Sequence, residues 1–451
     1  LAAAAPALVA LLRVEAAVVH SYAAIVLERL LAPQRAGAPP AAAAAAAAPG
    51  TRAPTAAVVL SPPLVPREVL SPLLQPLLSA LFAAFELPDS SENEYLMRCV
   101  ARTLAAAGPE VGPFAPHALS ELARMATEAA ANPSHPLFNH YLFESVAVLV
   151  RAAAAAGEPA LAAVEAALFP AITTVLQNDV QEFHPYVFQV LAQLAEARPL
   201  APGVVGGGGS GGEVKSESQT ATTKTATPTT TLPPAYLQLL RPLLAPAFWE
   251  RGANVPALAR LLRALLLRAG ASVVADSQLE PVLGVVQKLI SSRGAADAES
   301  GRTALALLRG VAAKSPSSGS SGSAALEPYL PTLWGLLFSR AQAARTPRFV
   351  RGLLHFASGF AVVKSSSNGT GTGGAAALAA SVDAVQPGLF AGGLLRHLWT
   401  PALASLASSG APEEERKLAC VATGMVLAEC EGVRAAPDLA AALLSAAVAA
   451  A

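Results

Sequence analysis

The residues whose types and spacing bear on chemistry are few, and each meets a physical objection. Ser210 sits in Gly208-Gly209-Ser210-Gly211-Gly212, the spacing of a hydrolase nucleophile elbow. An elbow works because a preceding strand and a following helix hold the serine on a strained turn. Here glycine-rich chain stands on both sides, so nothing would aim the hydroxyl. Lys215-Ser216 follows the same glycines, but Val214 occupies the position where a phosphate loop needs glycine. The seven histidines never pair with each other or with cysteines at ligand spacing along one helix, so no metal site is expected. Asn368-Gly369-Thr370 matches a glycosylation acceptor, yet no secretory signal accompanies it. The opening Leu1 to Leu12 is apolar without a basic start. Cys99, Cys420 and Cys430 are isolated thiols inside apolar helical patterns, as expected of small buried side chains in a reducing compartment. Arg260, Arg263 and Arg268 make one helix stretch basic, which is expected to be a solvated face. No catalytic, cofactor-binding or metal-binding residue is expected, and the chain reads as a protein that is not an enzyme.

Charge and hydropathy narrow the partners. Lysine plus arginine equals aspartate plus glutamate at 31 each, so no net field draws nucleic acid or an anionic membrane surface. Hydrophobic residues make up 53% of the 451, with alanine dominant, and charged residues only 14%. No stretch reaches the roughly 20 uninterrupted apolar residues that a spanning helix needs; Arg13, Arg151 and Asp438 interrupt or bound the longest. A soluble chain without membrane insertion is expected. Position 1 is leucine rather than methionine, so the sequence reads as part of a longer protein.

Something must nevertheless organise so much apolar surface, and the spacing says helices. Apolar residues recur at three- and four-residue steps with almost no alternating runs, so no sheet is needed. In 137–156, Phe138, Tyr141, Leu142, Val146, Leu149 and Val150 fall on one face, while His140, Glu144 and Arg151 point elsewhere. A proline recurs at or near the first turn of successive leucine-rich helices, where its missing N–H costs nothing: Pro72, Pro116, Pro170, Pro234, Pro281, Pro328 and Pro387. Allowing for insertions, the period is about 45, that of two-helix HEAT repeats. A single pair cannot bury its own apolar face, so pairs stack and expose a long concave surface. The expected fold is all-α, a HEAT-repeat α-solenoid or superhelix of antiparallel helix pairs, interrupted by low-complexity insertions that cannot bury enough apolar surface to order. A helical repeat remnant is expected over 1–32 and an Ala/Pro-rich linker over 33–66. HEAT-like repeats follow over 67–198, then a Gly/Ser/Thr-rich linker over 199–233 and further repeats over 234–313. A loop over 314–323, a repeat over 324–363, a Ser/Gly loop over 364–374 and C-terminal repeats over 375–451 complete the division.

Several stretches, taken in order, carry a resemblance. They include Val18-Val19-His20-Ser21-Tyr22-Ala23-Ala24, Ser90-Ser91-Glu92-Asn93-Glu94-Tyr95-Leu96-Met97 and Phe138-Asn139-His140-Tyr141-Leu142-Phe143-Glu144. Leu176-Gln177-Asn178-Asp179-Val180-Gln181-Glu182-Phe183 continues into His184-Pro185-Tyr186-Val187-Phe188, and Trp249-Glu250-Arg251-Gly252, Leu283 to Ile290 and Leu427-Ala428-Glu429-Cys430 follow. From Val18 to Cys430 the chain resembles the C-terminal half of the CAS family, the importin-α exporters of the importin-β (karyopherin) superfamily. That resemblance implies a nuclear export receptor that wraps importin-α together with Ran in its GTP form. It would shuttle past nuclear pore proteins between nucleus and cytoplasm, at the nuclear envelope, and release its cargo when Ran hydrolyses GTP. Ran would be held mainly by N-terminal repeats of the family that this sequence lacks. The insertions are longer than the family's connections, and many large core residues are alanine here. Polar groups at the ends of the matching helices are the expected partner contacts: Glu92, Asn93, Glu94, Gln177, Asn178, Asp179, Gln181, Glu182, Glu250 and Arg251. Caps and tight turns would use Asn178 and Asp179 equally well, and Tyr141, Tyr186, Phe188 and Trp249 are expected in the core. A HEAT-repeat scaffold without Ran-dependent transport is the alternative.

Overall fold

The computed structural model describes residues 4–32, 34–35, 60–61, 64–200, 232–275, 278–292, 294–312, 326–367 and 374–451. The chain divides into two compact units, 1–194 and 195–451. In the first, the helices in order are α1 (Ala5–Leu11), α2 (Ala17–Leu31), α3 (Arg67–Leu70), α4 (Leu74–Phe85), α5 (Glu94–Ala107), α6 (Ala115–Ala129), α7 (Pro136–Ala156), α8 (Glu158–Gln177) and α9 (His184–Ala197). Short loops fold them into antiparallel pairs, and the second helices of successive pairs, α2, α5 and α7, pack side by side.

The local reasons are those of helix physics. The Asn93 side chain accepts the backbone N–H groups of Tyr95 (3.0 Å) and Leu96 (3.2 Å), satisfying two otherwise orphaned donors at the start of α5. Leu96, Met97, Val100 and Leu104 then bury one stripe. Between α7 and α8 the chain reverses at Gly157, whose φ of 105° suits a residue without Cβ. In α7, Phe138, Leu142, Val146, Leu149 and Val150 are buried as the spacing predicts, and Phe138 meets Phe85 edge-on at 6.1 Å.

Four expectations change. Pro170 does not open a helix: it lies inside α8, which starts after Gly157 with Pro159 in its first turn. The opening signal there is therefore Pro159, and Pro170 leaves a carbonyl one turn earlier without its helical donor. Tyr141 and Tyr186 are only half-buried, whereas Phe188 and Trp249 are core. A small antiparallel ladder, β1 (Gln34–Arg35) with β2 (Leu60–Ser61), pairs the two ends of the Ala/Pro-rich stretch where no sheet was expected. Beyond it Val65 N–H donates to Leu30 O at 3.1 Å. Finally, two helical stretches are long and apolar enough to cross a membrane, Arg67–Phe85 and α8, the latter with a mean hydropathy of 1.7 over an 18-residue window. In the structure α8 packs on α6 and α7 instead, burying Leu161, Val164, Leu168, Ile172 and Val175. Most of the expected linkers, with Ser210, Val214, Lys215, Ser216 and Asn368, lies outside the described residues.

The second unit continues with α10 (Pro234–Leu243), α11 (Pro246–Glu250), α12 (Val255–Ala275), α13 (Leu279–Ser291), α14 (Ser300–Ala312), α15 (Leu330–Ala343), α16 (Pro347–Ser367) and α17 (Gly374–Asp383). A π-helical stretch over Phe390–Trp399 leads into α18 (Thr400–Ala404), α19 (Glu413–Glu429), α20 (Glu431–Arg434) and α21 (Pro437–Ala450). Helix α16 thus carries helical backbone to Ser367, into the segment read as a loop from residue 364. Helices α12, α14, α16 and α19 pack in series. They approach so closely that a Cβ built on Gly301 would stand 2.0 Å from Gly352 O, and one on Gly310 2.0 Å from Leu266 O. Trp334, fully buried between α15 and α16, packs its ring 5.0 Å from Phe356. The architecture of each unit is that of HEAT-type repeats, and the fold class is all-α.

Candidate functional site

The expected contact residues of the first unit sit on the loops that lead into the second helix of each pair. The structure shows what those loops do. His20, buried at the start of α2, bonds through Nε2 to Ser90 Oγ (2.7 Å) and through Nδ1 to Val14 O (2.9 Å). Asn93 Nδ2 donates to Ser21 Oγ at 2.8 Å while its oxygen caps α5. Glu92 reaches across the next interval to Nδ1 of His135, the residue ahead of α7. One interval further, Phe143 of α7 stacks on Tyr186 of α9 with centroids 5.1 Å apart and planes 4° from parallel, and His140 lies 6.1 Å from the same ring. Alongside, Arg98 of α5 sits 5.7 Å over the Tyr141 ring and 3.3 Å from Glu28, which is buried on α2 and is also approached by Arg102. The short motifs of the first unit that carry the sequence resemblance are therefore brought into contact, each with the next. Each lends side chains that lock one helix pair to the next.

This divides the candidates. Asn93 is fully engaged as a cap and cross-link, Glu92 is paired, and Glu94 opens α5 in its first turn, half-buried. Asn178 terminates α8, its N–H donating to Thr174 O at 3.0 Å. Asp179 adopts φ 49° in the following turn and accepts from Gln181 Nε2 at 2.9 Å. Gln177, Asn178, Asp179, Gln181 and Glu182 together form one exposed polar turn. Glu250 and Arg251 are exposed at the end of α11 in the second unit, with Glu250 3.8 Å from Lys288.

The basic stretch of α12 is not a solvated face. Arg268 is buried, donating to Arg198 O (2.8 Å) and Ala264 O (3.2 Å), and burial lowers its pKa despite the nearby Glu196. Arg263 pairs with Glu299 and Arg260 with Glu196 (2.6 Å). Its arginines are taken up by acceptors beside the helix, Arg268 by the carbonyls of Glu196 and Arg198 and Arg263 by Glu299, while Arg260 keeps 43% of its side chain exposed beside Glu196. The sequence reading also missed a cluster around His355. Arg348, Arg351 and His355 recur at three- and four-residue steps, one face of a helix, and Glu415 is set against them. Burial pushes the Glu415 carboxyl up, but Arg351 (Nε to Oε2, 2.7 Å) and Arg302 (2.9 Å to Oε1) outweigh it and hold the group below its ordinary range.

Burial lowers the pKa of His355 to about 4; Glu415 opposes that shift, whereas Arg309, Arg302 and Arg263 reinforce it. The unfolded imidazole takes its proton near pH 6.5 and the folded one only near 4. The stability this imposes is complete above pH 6.5 and is lost as pH falls towards 4. Chemical unfolding of the second unit should therefore show a midpoint that drops between pH 6.5 and 4.5, and His355→Gln should flatten part of that drop. Identical pH slopes for the two proteins would contradict it. Burial, with a nearby carboxylate at each site, also raises the thiol of Cys99 to about 12 and that of Cys430 to about 11, which makes them inert packing groups.

Comparison with known proteins gives the arrangement a lineage. The C-terminal region of the CAS/CSE proteins matches residues 60–204 and 222–449. Exportin-2 of Drosophila melanogaster is 32% identical over 424 residues, which is 94% of this chain and 36% of that protein. Human exportin-2 is 31% identical over 428 residues, again 94% of this chain and 36% of the relative. The solved structure of the exportin Cse1 in its cargo-free, cytoplasmic state superposes with a TM-score of 0.66 at 25% identity, covering 99% of this chain and 38% of the other. The chain thus spans little more than a third of the length of these relatives. With the match running through most of both units, the chain belongs to the CAS/CSE protein family and corresponds to the C-terminal part of its members.

Proposed function

We propose that the chain works as the C-terminal portion of a nuclear export receptor that carries importin-α from nucleus to cytoplasm in complex with Ran-GTP. The observation that carries this reading is the in-order match to the C-terminal part of exportin-2 over 94% of the chain. The interlocked first unit supports it, because a receptor that encloses a protein cargo needs a continuous, pre-organised surface rather than a catalytic pocket. On this reading the exposed turn of Gln177, Asn178, Asp179, Gln181 and Glu182 and the exposed Glu250 and Arg251 are partner contacts. Glu92, Asn93 and Glu94 shape the surface from behind. The chain itself performs no chemistry, needs no cofactor, and passes through the nuclear pore with its cargo.

A receptor couples its two ligands, so Ran-GTP and importin-α should each tighten the other's binding. The 451-residue chain alone supplies only part of each interface and forgoes the high effective concentration that linked contacts provide. Titration of importin-α into it should show weak binding that Ran loaded with a non-hydrolysable GTP analogue barely changes. A chimera in which this chain replaces the matching C-terminal part of human exportin-2 should recover Ran-dependent tightening of about tenfold or more. A folded chimera that binds importin-α equally with and without Ran would favour the scaffold reading instead.

A further inference from the structure

The arginine cluster of the second unit is not explained by helix packing alone. Where α14, α16 and α19 pack in series, a cavity of about 150 Å³ is lined by Arg302, Arg348, Arg351, His355 and Glu415. Arg302 and Arg351 grip the two oxygens of Glu415, whose side chain is only 13% exposed. Arg348 stands exposed at the rim with no ion-pair partner among the described residues. His355, on the wall, has Nδ1 buried without a hydrogen-bond partner. Three guanidiniums against one carboxylate leave a charge of +2 around the space, and His355 stays neutral at pH 7. The volume is below the roughly 300 Å³ at which pockets for drug-sized ligands begin, so the cavity suits one small ion or one side-chain headgroup.

We propose that this cavity is a binding site for a phosphate dianion, either free or carried on a phosphorylated side chain of a docked protein. Guanidinium forks match the oxygens of a tetrahedral oxyanion and bind it in pairs of charge-assisted hydrogen bonds. A dianion balances the +2 that Glu415 leaves, whereas a single carboxylate would leave an excess of one positive charge. Arg348 supplies the unpaired fork and His355 Nδ1 the unused hydrogen-bonding atom. The site is independent of the transport reading, since it needs neither importin-α nor Ran.

Inorganic phosphate titrated into the full chain at pH 7 and fixed ionic strength should bind saturably at one site. Arg348→Gln should weaken it by about tenfold or more without lowering the melting temperature, because Arg348 is exposed and unpaired. Arg13→Gln, which removes the same charge from the first unit, should leave binding unchanged. A phosphoserine peptide that binds more tightly than free phosphate, and is lost in Arg348→Gln, assigns the site to a docked protein; free phosphate binding at least as well assigns it to the ion. The absence of saturable phosphate binding, equal weakening by Arg13→Gln, or equal binding of a peptide with glutamate in place of phosphoserine would overturn the proposal.

Discussion

Asp297→Ala should destabilise the second unit by about 3–5 kcal/mol, the cost of leaving a buried charge without its partner. Asp297 and Arg340 form an ion pair in which each side chain is 5% exposed. The second carboxylate oxygen accepts from Thr346 Oγ1 at 2.9 Å, and that hydroxyl oxygen accepts in turn from Phe349 N–H at 3.2 Å, at the start of α16. The Arg340 guanidinium also lies 5.4 Å from the Phe349 ring centre. One carboxylate therefore fixes α15, the turn before α14 and the first turn of α16. Nε and Nη1 of Arg340 have no other acceptor, so nothing is positioned to take over when Asp297 is removed. Replacing both charges with Asp297→Leu and Arg340→Met should recover most of the loss, because no stranded charge remains. Urea unfolding checks both. A single-mutant loss below about 0.5 kcal/mol, the range of ordinary surface changes, would show that the pair is not holding these elements together.

The second large effect is steric, and it is asymmetric. Gly301→Ala would place its Cβ 2.0 Å from Gly352 O, against backbone that cannot rotate away, so α14 and α16 must separate. Over-packing of this kind costs about 1–3 kcal/mol and more where backbone must move, and it should lower the melting temperature by many degrees. At the facing position, Gly352→Ala meets nothing closer than 3.6 Å. Removing a glycine from the helix interior there should stabilise by up to about 1 kcal/mol. Two glycines that face each other across one contact are thus expected to respond with opposite signs. A shared sign in thermal unfolding would mean that the helices do not approach at Gly301 as described.

Much of this was legible in the sequence because it depends on short-range periodicity. The stripe of α7 and the roughly 45-residue repeat each follow from spacing within one or two helices, whereas Asn93, read as a partner contact, is a helix cap. Pro170 misled because proline preference at a first turn is statistical, and the glycine at 157 was the stronger boundary. Tyr141 and Tyr186 fall on apolar stripes, yet packing against His140, Arg98 and Phe143 leaves them half-open, which a stripe alone does not reveal. The candidate site was legible only as a set of loops. Whether Glu92 faces outward or pairs with His135 depends on how two repeats meet, and one helix's pattern carries no record of its neighbour's register. The same limit hid Arg302, Arg351 and Glu415, which come from three helices as much as 113 positions apart.

That 113-residue reach sets an order of events during synthesis. His20 with Ser90, Asn93 with Ser21 and Arg340 with Asp297 are separated by 70, 72 and 43 positions, so each closes once the next stretch of chain has left the ribosome. At roughly 5–20 residues per second, such closures follow one another within seconds. Glu415 is different, because Arg302 is exposed to the cell for 113 residues of further translation before its carboxylate exists. During that interval the nascent chain carries an unneutralised arginine cluster, and a ribosome stalled before residue 413 would hold it open to any polyanion nearby.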